Sequence, residues 1–553
     1  MHKFAVMPGL RKLRYRVSIE RSIRETTASM EAQTVVDRPY IAIDFGSSET
    51  RVAFFNGVGI EIVPDENGHR SFASCIAVKK TGHVYVGALR PSANFVNSGF
   101  DHIIYDIKPR IATHWTPEDV GKQHDNPFVK SHEDAVLLNP WDFKNFNEEG
   151  VPFKEFVTMI LRKAWHNARR LFNVPVRRTV LNVPEHFNYI QKMTLHRCAQ
   201  DAGFSEVSLL SDTMAAAISF GYTRVKEKTS KWLLVVNVGR FTCSASVIET
   251  DRQTYKIHAT NSLKSCAGLA MDVAFRKHLM SVLKQAPFVN QYGQQLPPAK
   301  INYNEMLDLL FEAEEYKIML PCGQPVQINY RCPYTKNVYR RYITQEEFQK
   351  QCQEIFDRIQ KCIMKTLREA DVKRNQIHDV ILAGGCSTLP SLRKAVENCV
   401  GKSVELGLNV SEITVHGAAV YASGFNHGSA IPGISVTEKL TNAYGVTIST
   451  QSENIITLLP KGMDMRSGCH HRFEDTVDRK VTIKVFETED DQNYNLISET
   501  TFLSAEGQKT QYAVRLELDA CGIIEQTFFE VYSNRSIPQQ IVDPPQRAEF
   551  RVY

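Results

Sequence analysis

One short frame occurs twice in this chain, far apart, and it narrows the folds open to it. In Ile41-Ala42-Ile43-Asp44-Phe45-Gly46-Ser47-Ser48-Glu49-Thr50 an apolar strand ends in an acid, a glycine bends the chain, and two hydroxyls precede a second strand. In Leu233-Leu234-Val235-Val236-Asn237-Val238-Gly239-Arg240-Phe241-Thr242 the frame recurs, with Asn237 at the acid's position and Arg240 and Phe241 in the turn. The first version aims backbone N–H groups and short donors at a phosphate while its carboxylate reaches toward a metal. The second has lost that acid. Its two added side chains are expected to hinder a left-handed turn and close approach of backbone amides to an anion.

The rest of the chain is ordinary in bulk. At 553 residues it is too long for one core, so two or three domains are expected. Hydrophobic and charged contents of 43% and 23% suit a soluble globular protein. A net charge of +5 is too small at this length to argue for nucleic acid. No apolar run approaches the roughly 18 residues of a membrane span, so neither nucleic acid nor membrane is an expected partner. The 12 cysteines are scattered without paired spacing, which fits a reducing, cytoplasmic compartment. Cys469-His470-His471 reads as a polar turn, since adjacent ligands do not make a metal site. Residues 1–37 carry Lys3, Arg11, Lys12, Arg14, Arg16, Arg21 and Arg24 with little apolar periodicity, the pattern of a disordered tail. No adequate apolar stretch for a secretory signal follows, and Glu20, Glu25 and Glu31 count against a transit peptide. A nuclear location and a transit peptide stay open as alternatives.

From Pro39 to about Phe425, β-rich stretches alternate with helical ones, the grammar of an α/β domain. Phe153, Phe156, Val157, Ile160, Ala164, Ala168 and Leu171 recur at helical spacing; Arg162, Lys163, Arg169 and Arg170 on that helix read as a solvated face. Thr344-x-x-Glu347 is a capping box, and the stripe Phe348, Cys352, Ile355, Ile359, Cys362 and Ile363 after it makes those cysteines core fillers. Beyond Asn426 alternating strands take over, with a turn at Asp519-Ala520-Cys521-Gly522. The expected organisation is a tail at 1–37, a nucleotide-binding domain at 38–427, a linker at 428–441, an all-β domain at 442–545 and a tail at 546–553.

Two further segments bear on chemistry. Val380-Ile381-Leu382-Ala383-Gly384-Gly385-Cys386-Ser387-Thr388-Leu389-Pro390 is a buried strand, a double glycine and a helix opening at proline, which lets backbone approach a nucleoside or phosphate. Leu209-Leu210-Ser211-Asp212-Thr213-Met214-Ala215 places Asp212 where a strand gives way to a helix, the end at which open α/β folds bind ligands.

Taken in order, these segments resemble the nucleotide-binding domain of DnaK-type heat-shock chaperones, the seventy-kilodalton class. Pro64-Asp65-Glu66-Asn67-Gly68 is similar to the turn after the first phosphate hairpin, and Tyr105-Asp106-Ile107-Lys108 to the segment bearing the catalytic lysine. Val183-Pro184-Glu185-His186-Phe187 resembles the interlobe switch, and His416-Gly417-Ala418-Ala419 the second connecting helix. Ile455–Gly462 and Leu516–Ile524 are similar to parts of the peptide-binding β sandwich, so the likeness runs from about Pro39 to Val531. The resemblance implies an actin-like (ribonuclease H-like) two-lobed nucleotide-binding domain followed by a β sandwich. It assigns catalysis to Lys108 and Asp212, and metal contact to Asp44. It assigns nucleotide contacts to Asp44, Gly46, Ser47, Ser48, Glu49, Asn237, Gly239, Thr242, Glu314, Lys317, Gly384, Gly385 and Cys386.

The chain departs from that pattern where charge matters most. Asn237 and Ser244 replace acids of the metal shell, Asp212 replaces a glutamate, and Ile318 and Thr388 replace arginines around the base. Lys192 stands for an arginine in the switch, and Ser435–Leu440 lacks the family's leucine run, so coupling between lobes and sandwich is expected to be weak. Arg240 either neutralises phosphate in the metal's place or points into solvent. The expected function is a molecular chaperone that binds ATP or ADP and unfolded or extended polypeptides, with Mg2+ held weakly and hydrolysis slow or lost. J-domain proteins and nucleotide-exchange factors are its implied partners, and the sandwich is expected to lack a helical lid. The alternative is a non-catalytic co-chaperone or regulator docking on an active chaperone. An actin-like or sugar-kinase-like protein is disfavoured by the β domain.

Overall fold

The computed structural model describes residues 39–536, apart from 80–82, 88–101, 113–128, 132–152, 225–228 and short stretches of loops after residue 285. The expected tails at 1–37 and 546–553 and most of the turn at 519–522 lie outside the described residues.

The six-stranded first sheet contains β1 (Tyr40–Phe45), β2 (Glu49–Phe55), β3 (Arg178–Val183) and β4 (Glu206–Ser211), in the order β4-β3-β1-β2, and the short strands Ile60–Ile62 and Phe72–Ala73 both pair with β2. The second contains β5 (Lys231–Val238), β6 (Thr242–Thr250), β7 (Thr254–Lys264), β8 (Asp379–Ala383) and β9 (Ser435–Thr437), in the order β8-β5-β6-β7-β9. In each sheet an antiparallel hairpin lies beside a parallel neighbour: β1 pairs β3, and β5 pairs β8. The repeated frame of the sequence is thus a repeated piece of structure. The helices are α1 (Phe153–Phe172), α2 (Tyr189–Ala202), α3 (Asp212–Arg224) and α4 (Gly268–Lys284). They continue with α5 (Tyr303–Met319), α6 (Gln345–Glu369), α7 (Pro390–Val400) and α8 (Ile413–Ser423).

Strands buried on both faces read as near-continuous apolar runs, and β1 and β3 do so. Ile43, Leu181 and Leu209 pack on one side with the α1 stripe of Phe156, Val157, Ile160 and Ala164. Ala42, Val180 and Leu210 pack on the other with the small residues of α3 and with α8. That second layer is thin because α3 and α8 nearly touch. A Cβ on Gly417 would lie 1.7 Å from the Ala215 carbonyl oxygen. The second sheet rests on α4 and α6, whose Met271, Phe275, Phe348, Cys352 and Ile363 share a core with Val236 and Leu234. The capping box on α6 is present in both halves: Glu347 N–H donates to Thr344 Oγ1 at 3.2 Å, and Thr344 N–H to Glu347 Oε2 at 3.3 Å. Burial pushes the Cys352 thiol up to about 12 and Cys362 to about 11, as befits core fillers.

The basic side chains of α1 engage their own chain. Lys163 pairs with Glu66 at 2.6 Å, Arg162 donates to the Asp201 carbonyl, and Arg169 lies over the Trp165 ring.

The segment read as a linker is described from residue 433, and there it is not free chain. β9 adds to β7 in parallel, Val436 opposite Tyr255, using backbone groups that need no leucine side chains. Glu438 then turns inward, half-buried, and accepts from Ser211 N–H at 3.1 Å and Ser211 Oγ at 2.5 Å; desolvation raises its pKa. Two four-stranded antiparallel sheets follow, with Val446, Ile448, Leu459, Ile483, Val485, Val514 and Leu516 in their core. Cys469, His470 and His471 lie in one of these strands, Cys469–Asp475, which corrects their reading as a turn: their register with Leu516, Arg515 and Val514 shows ladder positions. Glu487 ties this part to the α/β part. Its buried carboxylate accepts from Tyr189 N–H at the start of α2 (2.9 Å), Asn442 Nδ2 (2.7 Å) and Tyr444 Oη (2.7 Å).

Gly417→Ala should cost about 2 kcal/mol or more, because the added methyl meets backbone that cannot move without separating α3 from α8. Thr344→Ala should cost about 1 kcal/mol through the lost cap. Urea unfolding midpoints check both; an undiminished midpoint for Gly417→Ala would refute so close a helix contact.

Candidate functional site

Parallel strands β1, β3 and β4 all present their C-terminal ends to one edge of the first sheet. Ile43 lies opposite Leu181, so Asp44 follows beside Asn182, and Ser211, the last residue of β4, leads into Asp212 at the start of α3. This is the end where side chains of an open α/β sheet converge. Asp44 Oδ2 accepts from Thr414 Oγ1 of α8 at 2.6 Å. Asp212 Oδ2 accepts a long bond from Asn237 Nδ2, 3.4 Å, and stands 4.0 Å from Lys108 Nζ. Lys108 is buried, not a surface lysine.

The environment of Asp212 is dominated by burial, and Glu185 and Asp44 add like charge. Together they push its pKa up to about 7 against the pull of Lys108. Glu185 Oε1 accepts from Thr213 N–H at 2.7 Å. Its Oε2, Asp212 Oδ1, His186 Nδ1 and both polar atoms of the Asn182 side chain are buried with no hydrogen-bond partner among the described residues. Burial lowers His186 to about 3, so that ring is neutral.

The two hairpin turns close alike. Gly46 N–H donates to the Glu49 carbonyl and Gly239 N–H to the Thr242 carbonyl, each at 3.0 Å. Gly239, Arg240 and Phe241 all keep negative φ. The expected distortion of the second turn is therefore corrected: the frame needs no left-handed residue, and side chains fit it. What changes is the space in front of the turn.

Arg240 enters that space with its side chain only 7% exposed. Its Nε donates to Asp106 Oδ1 at 2.7 Å, and its Nη1 lies 2.8 Å from Glu314 Oε2 and 3.6 Å from Asp272 Oδ2. It meets neither expectation, being neither in solvent nor free for phosphate. Burial alone would lower its pKa, but Asp106, Glu314 and Asp272 outweigh it and the guanidinium titrates well above its usual range. Lys317, assigned to the nucleoside, instead pairs with Asp272 Oδ1 at 2.6 Å and reaches the Gly268 carbonyl at 3.4 Å. Burial pushes Asp272 up to about 6 against the pull of Lys317.

Gly384 is held at φ +85, and a Cβ there would sit 2.5 Å from both Asn237 Oδ1 and the Val238 carbonyl, so only glycine fits. Open space surrounds Gly385. Cys386 is buried, its thiol pKa raised by burial, and Sγ donates to the Gly239 carbonyl at 3.3 Å. Asn237, Gly239, Gly384 and Cys386 are thus joined, and through Arg240 and Lys317 so is Glu314. Ser48 and Glu49 are not: the Ser48 carbonyl accepts from Ser74 N–H, and Glu49 pairs with Arg51. Ser47 stays in the first turn, half-buried. Ser244 shares a hydrogen bond with Ser262 at 2.9 Å.

Sequence reasoning passed over Asp106, Asp272, Glu185 and Thr414 as site residues. Asp272 had a signal, being a lone acid within the apolar run Leu269-Ala270-Met271-Asp272-Val273-Ala274-Phe275.

Around the position where the resemblance places a divalent cation, Asp44 Oδ2 accepts from Thr414, Asp212 Oδ2 accepts from Asn237, and the Asn237 amide adds no negative charge. Among the described residues no group of three or more His, Cys, Asp and Glu side chains could hold a metal ion.

A family model described as Hsp70 protein matches residues 40–541. Over 397 residues the chain is 26% identical to heat shock 70 kDa protein 6, chloroplastic, of Arabidopsis thaliana, and 25% identical to that plant's heat shock 70 kDa protein 7, chloroplastic. Each alignment covers 70% of this chain and 52% of the relative, so the chain spans about half the length of the curated relatives it matches.

An unfolded aspartate loses its proton near pH 3.9, whereas Asp212 keeps it to about 7. Between those values the folded state holds the extra proton, so its stability falls as pH rises through that window. Asp212→Asn removes this dependence. Its melting temperature relative to the unaltered protein should be higher at pH 8 than at pH 4.5; an equal offset at both would contradict the raised pKa.

Proposed function

This chain belongs to the Hsp70 family, and from that premise we propose that it is a heat-shock-type chaperone with a degenerate nucleotide cleft. The α/β part is an actin-like, two-lobed nucleotide-binding domain, and the β part holds extended apolar polypeptide largely through backbone hydrogen bonds. Adenine nucleotide binds between the hairpins and Gly384-Gly385, weakly and with little dependence on magnesium. Hydrolysis is very slow, with or without a J-domain partner.

The observation that carries this reading is the second hairpin. Phosphoryl transfer depends on positioning and on charge set around the transferring group. Here the acid position is an amide spent on Asp212, and the turn sends an arginine ion-paired to three carboxylates into the cleft. Lys108 and Asp212 stand close enough to orient a water, and Gly384-Gly385 leaves room for a nucleoside; these retained parts support binding more than turnover.

Calorimetric titration with ATP, with and without magnesium, tests the binding claim. Weak affinity that changes little when magnesium is withdrawn is expected; tight, strictly magnesium-dependent binding would refute it. Steady-state hydrolysis should stay near background, and Asn237→Asp alone should not restore it while Arg240 fills the cleft. A fluorescent apolar peptide should exchange rapidly at the same rate with ATP, ADP or no nucleotide, and marked acceleration by ATP would show intact coupling.

A further inference from the structure

The position of Arg240 explains more than a lost metal. Its three carboxylate partners come from three separate parts of the chain: Asp106 after the strand His102–Ile104, Asp272 in the first turns of α4, and Glu314 in α5. Asp106 adopts φ 54, a left-handed conformation that aspartate tolerates better than most residues, and its carboxylate meets the guanidinium with both oxygens, at 2.7 and 3.3 Å. Lys317 completes the set by pairing with Asp272. Beside it, apolar side chains join the same parts. Phe311 of α5 packs with Cys75, Ala77, Ile103 and Tyr105, its ring 5.5 Å from that of Tyr105 in an edge-on contact.

We propose that Arg240 is a built-in latch: it occupies the phosphate side of the cleft and cross-links Asp106 to α4 and α5, holding the cleft closed with no nucleotide bound. An arginine suits this role because its planar fork serves several acceptors at once and cannot lose its proton. An entering polyphosphate must detach Arg240 from carboxylates already in place, and it brings like charge to Asp106, Asp272 and Glu314. Nucleotide is then a competitor of the latch rather than the cause of closure. The claim about competition rests on the reading of this cleft as a nucleotide site; the claim about closure does not.

Hydrogen exchange on the full chain without nucleotide tests closure, using Asp106→Asn and Arg240→Ala. Asp106→Asn weakens one arm and leaves Arg240 paired with Asp272 and Glu314, so it keeps the fold if Arg240→Ala, which takes the guanidinium from the buried Asp106 and leaves Asp272 with Lys317 alone, does not. Amides of 103–108, α4 and α5 should exchange at least tenfold faster in Asp106→Asn, while α1 and the β sandwich keep their protection. Unchanged exchange in α4 and α5, or a loss of protection spread evenly over the chain, overturns the latch. ADP titration of the same proteins tests competition: at least tenfold tighter binding in Asp106→Asn supports it. Local opening with no gain in ADP binding leaves the closure claim standing and overturns the competition claim. Failure of the nucleotide reading is thus distinguishable from failure of the latch.

Discussion

A guanidinium shut away from water keeps its charge, so the protein around it must supply acceptors from every direction. Arg240 imposes that demand at the centre of this molecule. Satisfying it fixes the left-handed backbone at Asp106, the placement of Asp272 in an otherwise apolar stretch of α4, and the direction of Glu314 from α5. Lys317 is drawn in as a second cation because two positive charges among three carboxylates balance better than one. Buried ion pairs of this kind gain little over a well-packed apolar core, yet removing one member leaves a stranded charge. The network specifies an arrangement more than it stabilises one. That is why a single residue in a turn reorganises side chains on two helices.

The same logic runs through the groups around it. Where a ligand-binding cleft leaves polar atoms for its ligand, much of this one satisfies them internally. Ser244 bonds Ser262, Ser246 bonds both Thr213 and Thr260, and Asn237 bonds Asp212. Hydroxyls and amides can do this because each both donates and accepts, whereas a carboxylate in the same place only accepts. Buried atoms without a hydrogen-bond partner among the described residues remain on both sides, at Asn182, Glu185, His186 and Asp212, and at Arg240 Nη1 and both Asp272 oxygens, where ion pairing alone serves. The hydroxyls of Ser244 and Ser246 along β6 have become protein interior.

What could be read from the sequence was what short-range patterns carry. The paired hairpins, the α6 capping box and the α1 stripe each depend on residues a few positions apart, and the structure has all three. The Arg240 network could not be read that way, since its members are separated by long stretches of chain and nothing local marks Asp106 or Glu314 as its partners. The turn at Gly239 was misjudged for a different reason: glycine is essential where φ is positive, and there it is not. Side-chain hydrophobicity carries no docking signal in the connector, because β9 docks through its backbone. Cys469-His470-His471 looked like a turn only because polar residues on a strand edge alternate too briefly to show a period.

Helix termini explain how the connector comes so close to the site. The first amides of α2 and α3 need acceptors, and both helices take carboxylates from elsewhere in the chain. At α2 the acceptor is Glu487 of the β part, bound to Tyr189 N–H. At α3, Glu185 takes Thr213 N–H, and just before the helix Glu438 of the connector takes the N–H of Ser211, the last residue of β4. A helix N-terminus favours negative charge, but only so much of it, and the field there falls off within a turn. Asp212 lies beside the seated Glu185, and burial, with like charge from that acid and from Asp44, holds its proton to about pH 7. Glu185 therefore serves two ends at once, closing the N-terminus of α3 and helping to keep the proton on Asp212.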